Sequence, residues 1–289
     1  MNLEYKVEAE STINQILNEK LKLSARLRIK LIKNKCILLN GFFVDTRTIA
    51  SIGDTITIVL DSPEDNSNIV PTKMDLDIIY EDEHLLAINK PAGIAIHPSI
   101  LHYNDSLSNG VRYYFDKINL CKKIRPINRI DLNTSGLVLF AKNEYVQECL
   151  IQQMLDNTFE KTYICLVSGH FQNEEGVINL PITRKDNSII ERCVSDNGQA
   201  AITHYKVLHE FDTYSLVQCR LETGRTHQIR VHMAYIGHGL LGDTLYGINS
   251  NIIERQALHS YKMKFIHPVF NNEILLEADI PLDIKKLII

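Results

Sequence analysis

The run Leu137-Val138-Leu139-Phe140-Ala141 places the tightest constraint on this chain. Five apolar residues in a row read as a buried strand. Just ahead of it lies Pro126-Ile127-Asn128-Arg129-Ile130-Asp131-Leu132-Asn133-Thr134-Ser135-Gly136, which is polar and rich in turn formers. A loop held by packed strands is a place where reactive side chains are presented. Asp131 and Asn133 could equally make turns and cap backbone N–H groups, as Asx residues do.

Residues 1–62 are predicted to form a small α/β module, with 8–60 as its compact part. Thr12-Ile13-Asn14-Gln15 fits a capping box, because Gln15 stands three residues after Thr12. Ile13, Ile16, Leu17 and Leu21 follow at helical spacing. Ser24 can cap a second helix on which Arg26, Lys30 and Lys33 stand at i, i+4 and i+7 as one cationic stripe, with Leu27 and Leu31 free to face inward. Asn40-Gly41, between Ile37-Leu38-Leu39 and Phe42-Phe43-Val44, signals a hairpin. Gly53-Asp54 turns into a strand over 55–60. A cationic stripe is commonly a solvated face. Here residues 20–35 hold seven Lys and Arg and no acid, a pattern suited to a phosphate backbone.

The polar stretch 61–68 lacks an apolar period and marks the passage from the module into a linker, set at 63–75. Residues 76–289 are read as one α+β domain. Strands are predicted at 78–80, 85–88, 162–167, 201–208 and 214–221, an extended segment at 94–98, and helices near 105–117, 143–155 and 226–236. Many strands with few helices between them favour a largely antiparallel sheet. Charge divides along the same boundary. Residues 1–60 carry nine Lys and Arg against six Asp and Glu, a net of +3, and the remainder, 22 against 29, nets −7. No apolar run approaches the ~20 residues that span a bilayer. The opening Met1-Asn2-Leu3-Glu4-Tyr5-Lys6 is unlike a secretory signal, so a cytoplasmic location is expected. The six cysteines are scattered without a CxxC pair, which argues for free thiols and against structural zinc or a disulfide framework.

Farther on, Thr223-Gly224-Arg225-Thr226-His227-Gln228-Ile229-Arg230-Val231-His232 reads as a strand end, a glycine turn and a helix start. At about 100° per residue, Arg225 and Arg230 would diverge by about 140° if both were helical. They can share a target only if Arg225 precedes the helix. Arg230 lies on the margin of an apolar face formed by Ile229, Met233 and Ile236. From there it can reach a buried carboxylate and hold it bidentately, although a purely structural ion pair would look the same. His227 and His232 are five apart, not the four of a helical metal pair, and are expected to be hydrogen-bonded packing residues. The glycine-rich stretches 237–239 and 242–247 fit neither a phosphate-binding nor a dinucleotide motif and are read as turns. No metal or cofactor site is expected.

Five groups of residues then occur in a telling order. They are Asn89-Lys90-Pro91-Ala92-Gly93 with His97-Pro98; Asn128-Arg129-Ile130-Asp131 with Thr134-Ser135-Gly136; Lys161-Thr162-Tyr163; Gly224-Arg225-Thr226-His227-Gln228-Ile229-Arg230; and Arg255-Gln256-Ala257-Leu258-His259 with His267-Pro268. From about residue 76 to 285 the chain thus resembles the RluA/RluD-type pseudouridine synthases. The basic module is similar to the S4-type RNA-binding domain, with Lys35 where that domain usually has Gly and Asn14 where it often has Asp. The resemblance implies a catalytic domain on a long, bent, mixed sheet with a central cleft. It implies Asp131 as the catalytic aspartate, Arg230 as its salt-bridge partner and Tyr163 as the aromatic against the target base. It also puts Arg129 at the RNA side, helping to fill the space left by the displaced base. Arg26, Lys30 and Lys33 would contact RNA. Asn128 stands where the family often has His, and Asn133 where it usually has Asp. Both departures bear on hydrogen bonding around the aspartate.

The implied reaction detaches uracil from ribose C1′, turns it and rejoins it through C5. It needs no redox step and no phosphate input. The target uridine must first leave its stack, and an aromatic face replaces part of the lost stacking. A guanidinium beside Asp131 favours its ionised form. The anion can attack a sugar or base carbon, or stabilise a cation-like sugar. The expected partner is structured RNA, with 23S ribosomal RNA ahead of transfer RNA, and the expected state is a monomer without membrane association. Two other classes compete. A non-catalytic RNA-binding or ribosome-assembly protein leaves Asp131, Tyr163 and Arg230 without a purpose, and a small-molecule glycoside or nucleoside hydrolase makes no use of residues 20–35.

Overall fold

The computed structural model describes residues 2–60, 64–248 and 250–289. Asp61, Ser62 and Pro63, at the boundary between the expected module and linker, lie outside the described residues.

The N-terminal module contains β1 (Asn2–Lys6), β2 (Ser11–Thr12), α1 (Ile13–Gln15) continued by a π-helical turn at Ile16–Lys20, α2 (Ala25–Lys33), β3 (Ile37–Leu39), β4 (Phe42–Phe43), β5 (Ile49–Ala50) and β6 (Thr55–Val59). Thr12 and Gln15 form the expected capping box. The Ser24 hydroxyl accepts from Leu27 N and starts α2. The strands form an antiparallel sheet in the order β1-β6-β3-β4. Asn40 and Gly41 both have positive φ, as a tight type I′ hairpin requires. α2 ends in a Schellman arrangement, with Cys36 N donating to Leu31 O and Lys35 N to Ile32 O. Lys35 therefore takes φ 55°, a conformation that ordinarily favours glycine.

The larger part contains β7 (Ile78–Glu81), β8 (Leu85–Lys90), α3 (Leu107–Lys117), β9 (Ser135–Ala141), α4 (Glu144–Leu155), β10 (Glu160–Ser168), β11 (Glu175–Asn179), β12 (Ile182–Arg184), β13 (Arg192–Val194), β14 (Ile202–Glu210), β15 (Tyr214–Leu221), α5 (Gln228–Tyr235), β16 (Leu258–Ile266), β17 (Glu273–Glu277) and α6 (Leu282–Lys285). Nine of these strands form one mixed sheet, β11-β14-β15-β10-β16-β9-β8-β7, with β17 added on β16. The strands expected at 78–80, 85–88, 162–167 and 214–221 and the helices near 105–117, 143–155 and 226–236 all have counterparts. The extended segment expected at 94–98 does not form a strand. It is irregular, with a bend at 96–97, because the chain leaves the sheet after Lys90 to reach α3.

β9 explains the apolar run. All seven of its residues are buried. Leu137, Leu139 and Ala141 face a core shared with α4, whereas Val138 and Phe140 face α3 through Val111 and Phe115. A strand covered on both faces has no polar side to alternate with.

Every pairing in the large sheet is antiparallel except β9 with β16, where Ser135 and Gly136 run parallel to His259 and Ser260. Gly136 has φ 108°, and a Cβ on it would stand 2.2 Å from Ser260 O. Only glycine allows this approach. The seam divides the sheet into one half of β9, β8 and β7 and another of β16, β10, β15, β14 and β11 with β17, and the loop carrying Asp131 enters β9 at this point.

The N-terminal module is not hung on a free tether. Its core residues Leu21, Leu27 and Leu31 share one apolar cluster with Val146 and Leu150 of α4. Ser24 Oγ donates to Glu148 Oε1 at 2.6 Å. Lys30 reaches Glu144 at 2.6 Å and Glu64 at 3.2 Å, so this member of the cationic stripe is turned onto the larger part. Glu64 also receives two hydrogen bonds from Arg125, at 2.7 and 2.6 Å. The chain just after the undescribed residues is therefore pinned.

Candidate active site

The loop before β9 is held from behind by two distant segments. Leu132 O accepts from Lys90 Nζ and from Gly93 N, each at 2.9 Å. Asn133 O accepts from Arg255 Nη1 at 3.0 Å. Arg255 is in turn anchored on Asp283 of α6. Lys90 also donates to Pro91 O. Burial, and then the nearby Arg255 charge, push the Lys90 ammonium down to about 7. Asn128 acts as a false strand residue. Its amide donates to Leu137 O and accepts from Leu139 N, which ties the loop's first half to β9.

Arg230 approaches from α5. This helix begins at His227, whose φ is 59°. The Gln228 amide stitches its start to the sheet by accepting from Arg225 N and donating to Ile202 O. Arg225 precedes the helix and donates to Ala200 O, so the two arginines do not share a target. Ile229 and Met233 pack onto β10 and β15 with Tyr163, Cys219 and Leu221.

Arg230 Nη1 meets Asp131 Oδ2 at 2.9 Å across the cleft. This is the expected pairing, but the bidentate grip is taken elsewhere. Arg230 Nε and Nη2 hold the two oxygens of Asp243 at 2.7 and 2.8 Å. Asp243 is fully buried, Arg230 is 8% exposed and Asp131 is 24% exposed at the side chain. One guanidinium thus links a buried anion to an accessible one. Burial would lower the pKa of Arg230, but the Asp243 and Asp131 carboxylates hold it above its ordinary value. Burial would raise Asp243, and the Arg230 hydrogen bonds and charge hold it below the usual range.

Asp243 lies in the glycine-rich stretch read as a turn. The turn is real, since Asp243 Oδ1 also accepts from Leu245 N and Tyr246 N. Its partner Arg230 stands 13 residues earlier, beyond the reach of a turn or helix spacing pattern. The Tyr246 ring lies 5.1 Å from the Arg230 guanidinium, a cation–π contact. Its hydroxyl is 2.8 Å from His227 Nδ1. His227 is therefore more than a packing residue: its Nε2 lies 3.9 Å from Asp131 Oδ2. Burial pushes His227 down, which favours the neutral ring. His232 is a packing residue, bonded to Thr203 and to Leu180 O.

These groups open into a cleft of about 760 Å³ lined by Arg129, Asp131, Lys161, Tyr163, His227 and Arg230, among others. That size suits a small ligand or a single nucleotide. Tyr163 stands on β10 beside a bulge at Thr162/Tyr163 in the pairing with β16. Such bulges re-aim side chains. It is 6% exposed, and burial pushes its hydroxyl up to about 12, so it remains a neutral phenol. Four of the expected site residues, Arg129, Asp131, Tyr163 and Arg230, are thus brought together. Arg26, Lys30 and Lys33 are on α2 and do not line the cleft. Among the described residues no cluster of three or more His, Cys, Asp or Glu could hold a metal ion.

Residues 84–235, which carry this loop, Tyr163 and Arg230, match the RNA pseudouridylate synthase family. The chain belongs to that family. It is 41% identical over 253 residues to the uncharacterized RNA pseudouridine synthase YhcT of Bacillus subtilis (strain 168), covering 87% of this chain and 83% of that protein. It is 38% identical over 248 residues to the ribosomal large subunit pseudouridine synthase D of Zymomonas mobilis, covering 81% and 77%. Among solved structures, human RNA pseudouridylate synthase domain containing 1 superposes with a TM-score of 0.59 at 25% identity, over 71% of this chain and 83% of that one. The large mixed sheet is the fold of pseudouridine synthases, and the enzyme is an RNA pseudouridine synthase, an isomerase.

Proposed function

We propose that this synthase isomerises particular uridines of structured RNA, with 23S ribosomal RNA as its substrate, and that Asp131 is the nucleophile. The observation that carries the reading is the 2.9 Å contact from Arg230 to Asp131 inside a cleft that also holds Tyr163. Because Asp243 takes two of its N–H groups, Arg230 fixes one oxygen of Asp131 and leaves the carboxylate accessible. Everting a uridine costs a few kcal/mol, and the Tyr163 ring offers a face that offsets part of that cost. Asp131 then attacks the nucleotide or stabilises the sugar cation as C1′–N1 breaks. The uracil turns, C1′–C5 forms, C5 loses a proton and N1 gains one. Atoms and charge balance without a co-reactant. Arg129, exposed at the rim, fills the place of the everted base.

Residues 1–62 serve as an S4-type RNA-binding module, joined by 63–75 to a catalytic domain over 76–289. The hairpin, the paired helical segments and the positive φ at Lys35, where that domain usually has Gly, support the assignment. Lys33 is exposed, and Arg26, 90% exposed at the side chain and only 3.9 Å from Glu144, still offers charge to RNA, while Lys30 does so only in part because it is held at 2.6 Å by Glu144. A monomer is the expected state, and the large-subunit name of the Zymomonas mobilis relative supports ribosomal RNA and a cytoplasmic location.

Pseudouridine mapping of 23S ribosomal and transfer RNA transcripts after incubation with the protein tests this reading. Product in ribosomal RNA, its loss in Asp131→Asn, and RNA affinity retained in that variant are expected. Product confined to transfer RNA overturns the substrate, and product made by Asp131→Asn overturns the nucleophile.

A further inference from the structure

Lys161 stands two residues before Tyr163 on β10, and both line the cleft. Alternate residues of a strand share a face and are offset by about 6.6 Å along it. Lys161 is 8% exposed, so nine-tenths of the residue is covered. The other buried cations that line the cleft are satisfied, Arg230 by two aspartates and Arg125 by Glu64, and so is Lys90 behind the Asp131 loop, by two carbonyls. Lys161 makes no hydrogen bond or ion pair among the described residues, and burial alone, opposed by no carboxylate, pushes its pKa down. The adjacent strand end turns at Gly224. A Cβ there would lie 3.8 Å from Lys161 Nζ, and the absence of a side chain keeps that approach open.

An ammonium held in this way is costly unless something supplies an anion. We propose that Lys161 binds a phosphodiester oxygen flanking the everted uridine. This rests on the reading of the cleft as the uridine site. Asp131 and Tyr163 claim the base and sugar. Lys161 is displaced along β10 toward the exposed Gly224-Arg225 rim of the cleft, a position open to a phosphodiester beside the bound nucleotide. Its charge therefore acts on binding of the substrate in its ground state. It does not act on the leaving uracil.

Lys161→Met keeps the apolar stem, and Lys161→Arg keeps the charge. Binding is measured by filter retention of a 23S ribosomal RNA transcript over a range of salt, a readout that needs no turnover. Lys161→Met is expected to weaken affinity about tenfold, the scale of one hydrogen bond to a charged group, and to reduce the salt slope by about one phosphate contact. Lys161→Arg is expected to restore the slope. In single-turnover assays the half-saturating enzyme concentration should rise while the rate at saturation stays within about twofold. Unchanged affinity and slope in Lys161→Met overturns the proposal, and so does a loss confined to the saturated rate. Pseudouridine formation by Asp131→Asn would instead overturn the nucleophile, whatever Lys161→Met does.

Discussion

Arg230 in the cleft and Lys30 at the seam with the N-terminal module each face two carboxylates, yet only Arg230 can position one of them. Arg230 is 8% exposed, and its planar fork takes Asp243 with two parallel bonds, which leaves a third N–H aimed at Asp131. Lys30 is 39% exposed and offers a point charge on a flexible stem to Glu144 and Glu64. A guanidinium fixed at one end transmits direction to the other, and an ammonium does not. The cleft therefore has an oriented anion, whereas the seam has mutual attraction without orientation. Glu64 lies between these extremes, because the fork of Arg125 also holds it bidentately.

The sharpest way to break the contrast is Asp243→Ala. It strips the buried partner from Arg230, and removing one member of a buried pair costs about 3–5 kcal/mol. Chemical denaturation should show a loss of that size. Turnover should fall on the order of 100-fold or more, the scale set by losing an oriented charge at a reacting centre. Full turnover in a folded Asp243→Ala protein would mean that Arg230 needs no second anchor. Glu64→Gln should have a smaller effect, about 1–3 kcal/mol, read as a lowered denaturation midpoint without loss of saturated rate.

Acid provides a second handle on the same residue. Burial would raise the Glu64 pKa, but the hydrogen bonds and charge of Arg125 bring it down to about 2 from the ordinary 4.5. A carboxylate whose folded value is depressed contributes stability that is complete above about pH 4.5 and is lost as pH falls toward 2. Glu64→Gln should flatten the stability curve in that window; an unchanged curve would detach Glu64 from the seam. The smallest effect is expected from Lys30→Ala, about 0.2–1 kcal/mol, because half-exposed pairs are screened. A larger loss would show that the seam is more ordered than its exposure implies.

What could be read from the sequence was what is local. The β9 run, the Thr12 and Ser24 caps and the Asn40-Gly41 turn each leave a mark within a few residues, and each formed where expected. The Asp131 to Arg230 pair spans 99 residues and was legible only because their motifs occur in a recognisable order. Asp243 has no such mark. An acid within a glycine turn usually does no more than cap it, and this one does that too. The sign that could have singled it out is its place soon after an arginine-bearing helix that needs a second anion. Helix spacing places Lys30 in a cationic stripe but is local, whereas Glu64 and Glu144 reach it from other segments. His227 was set aside as a poor metal ligand, a test that could not register its 3.9 Å approach to Asp131. The strands β16 and β17 escaped for a related reason, since their pairing is decided by neighbours elsewhere in the sheet.

Gly136 gives the molecule a keystone made of a single hydrogen atom. Because Ser260 O occupies the space that any side chain at 136 would claim, even a methyl group there would act as a wedge between the two halves of the sheet. The wedge would move Asp131 on one half relative to Arg230 and Tyr163 on the other. The width of the cleft around Asp131 thus depends on a residue that does not line it.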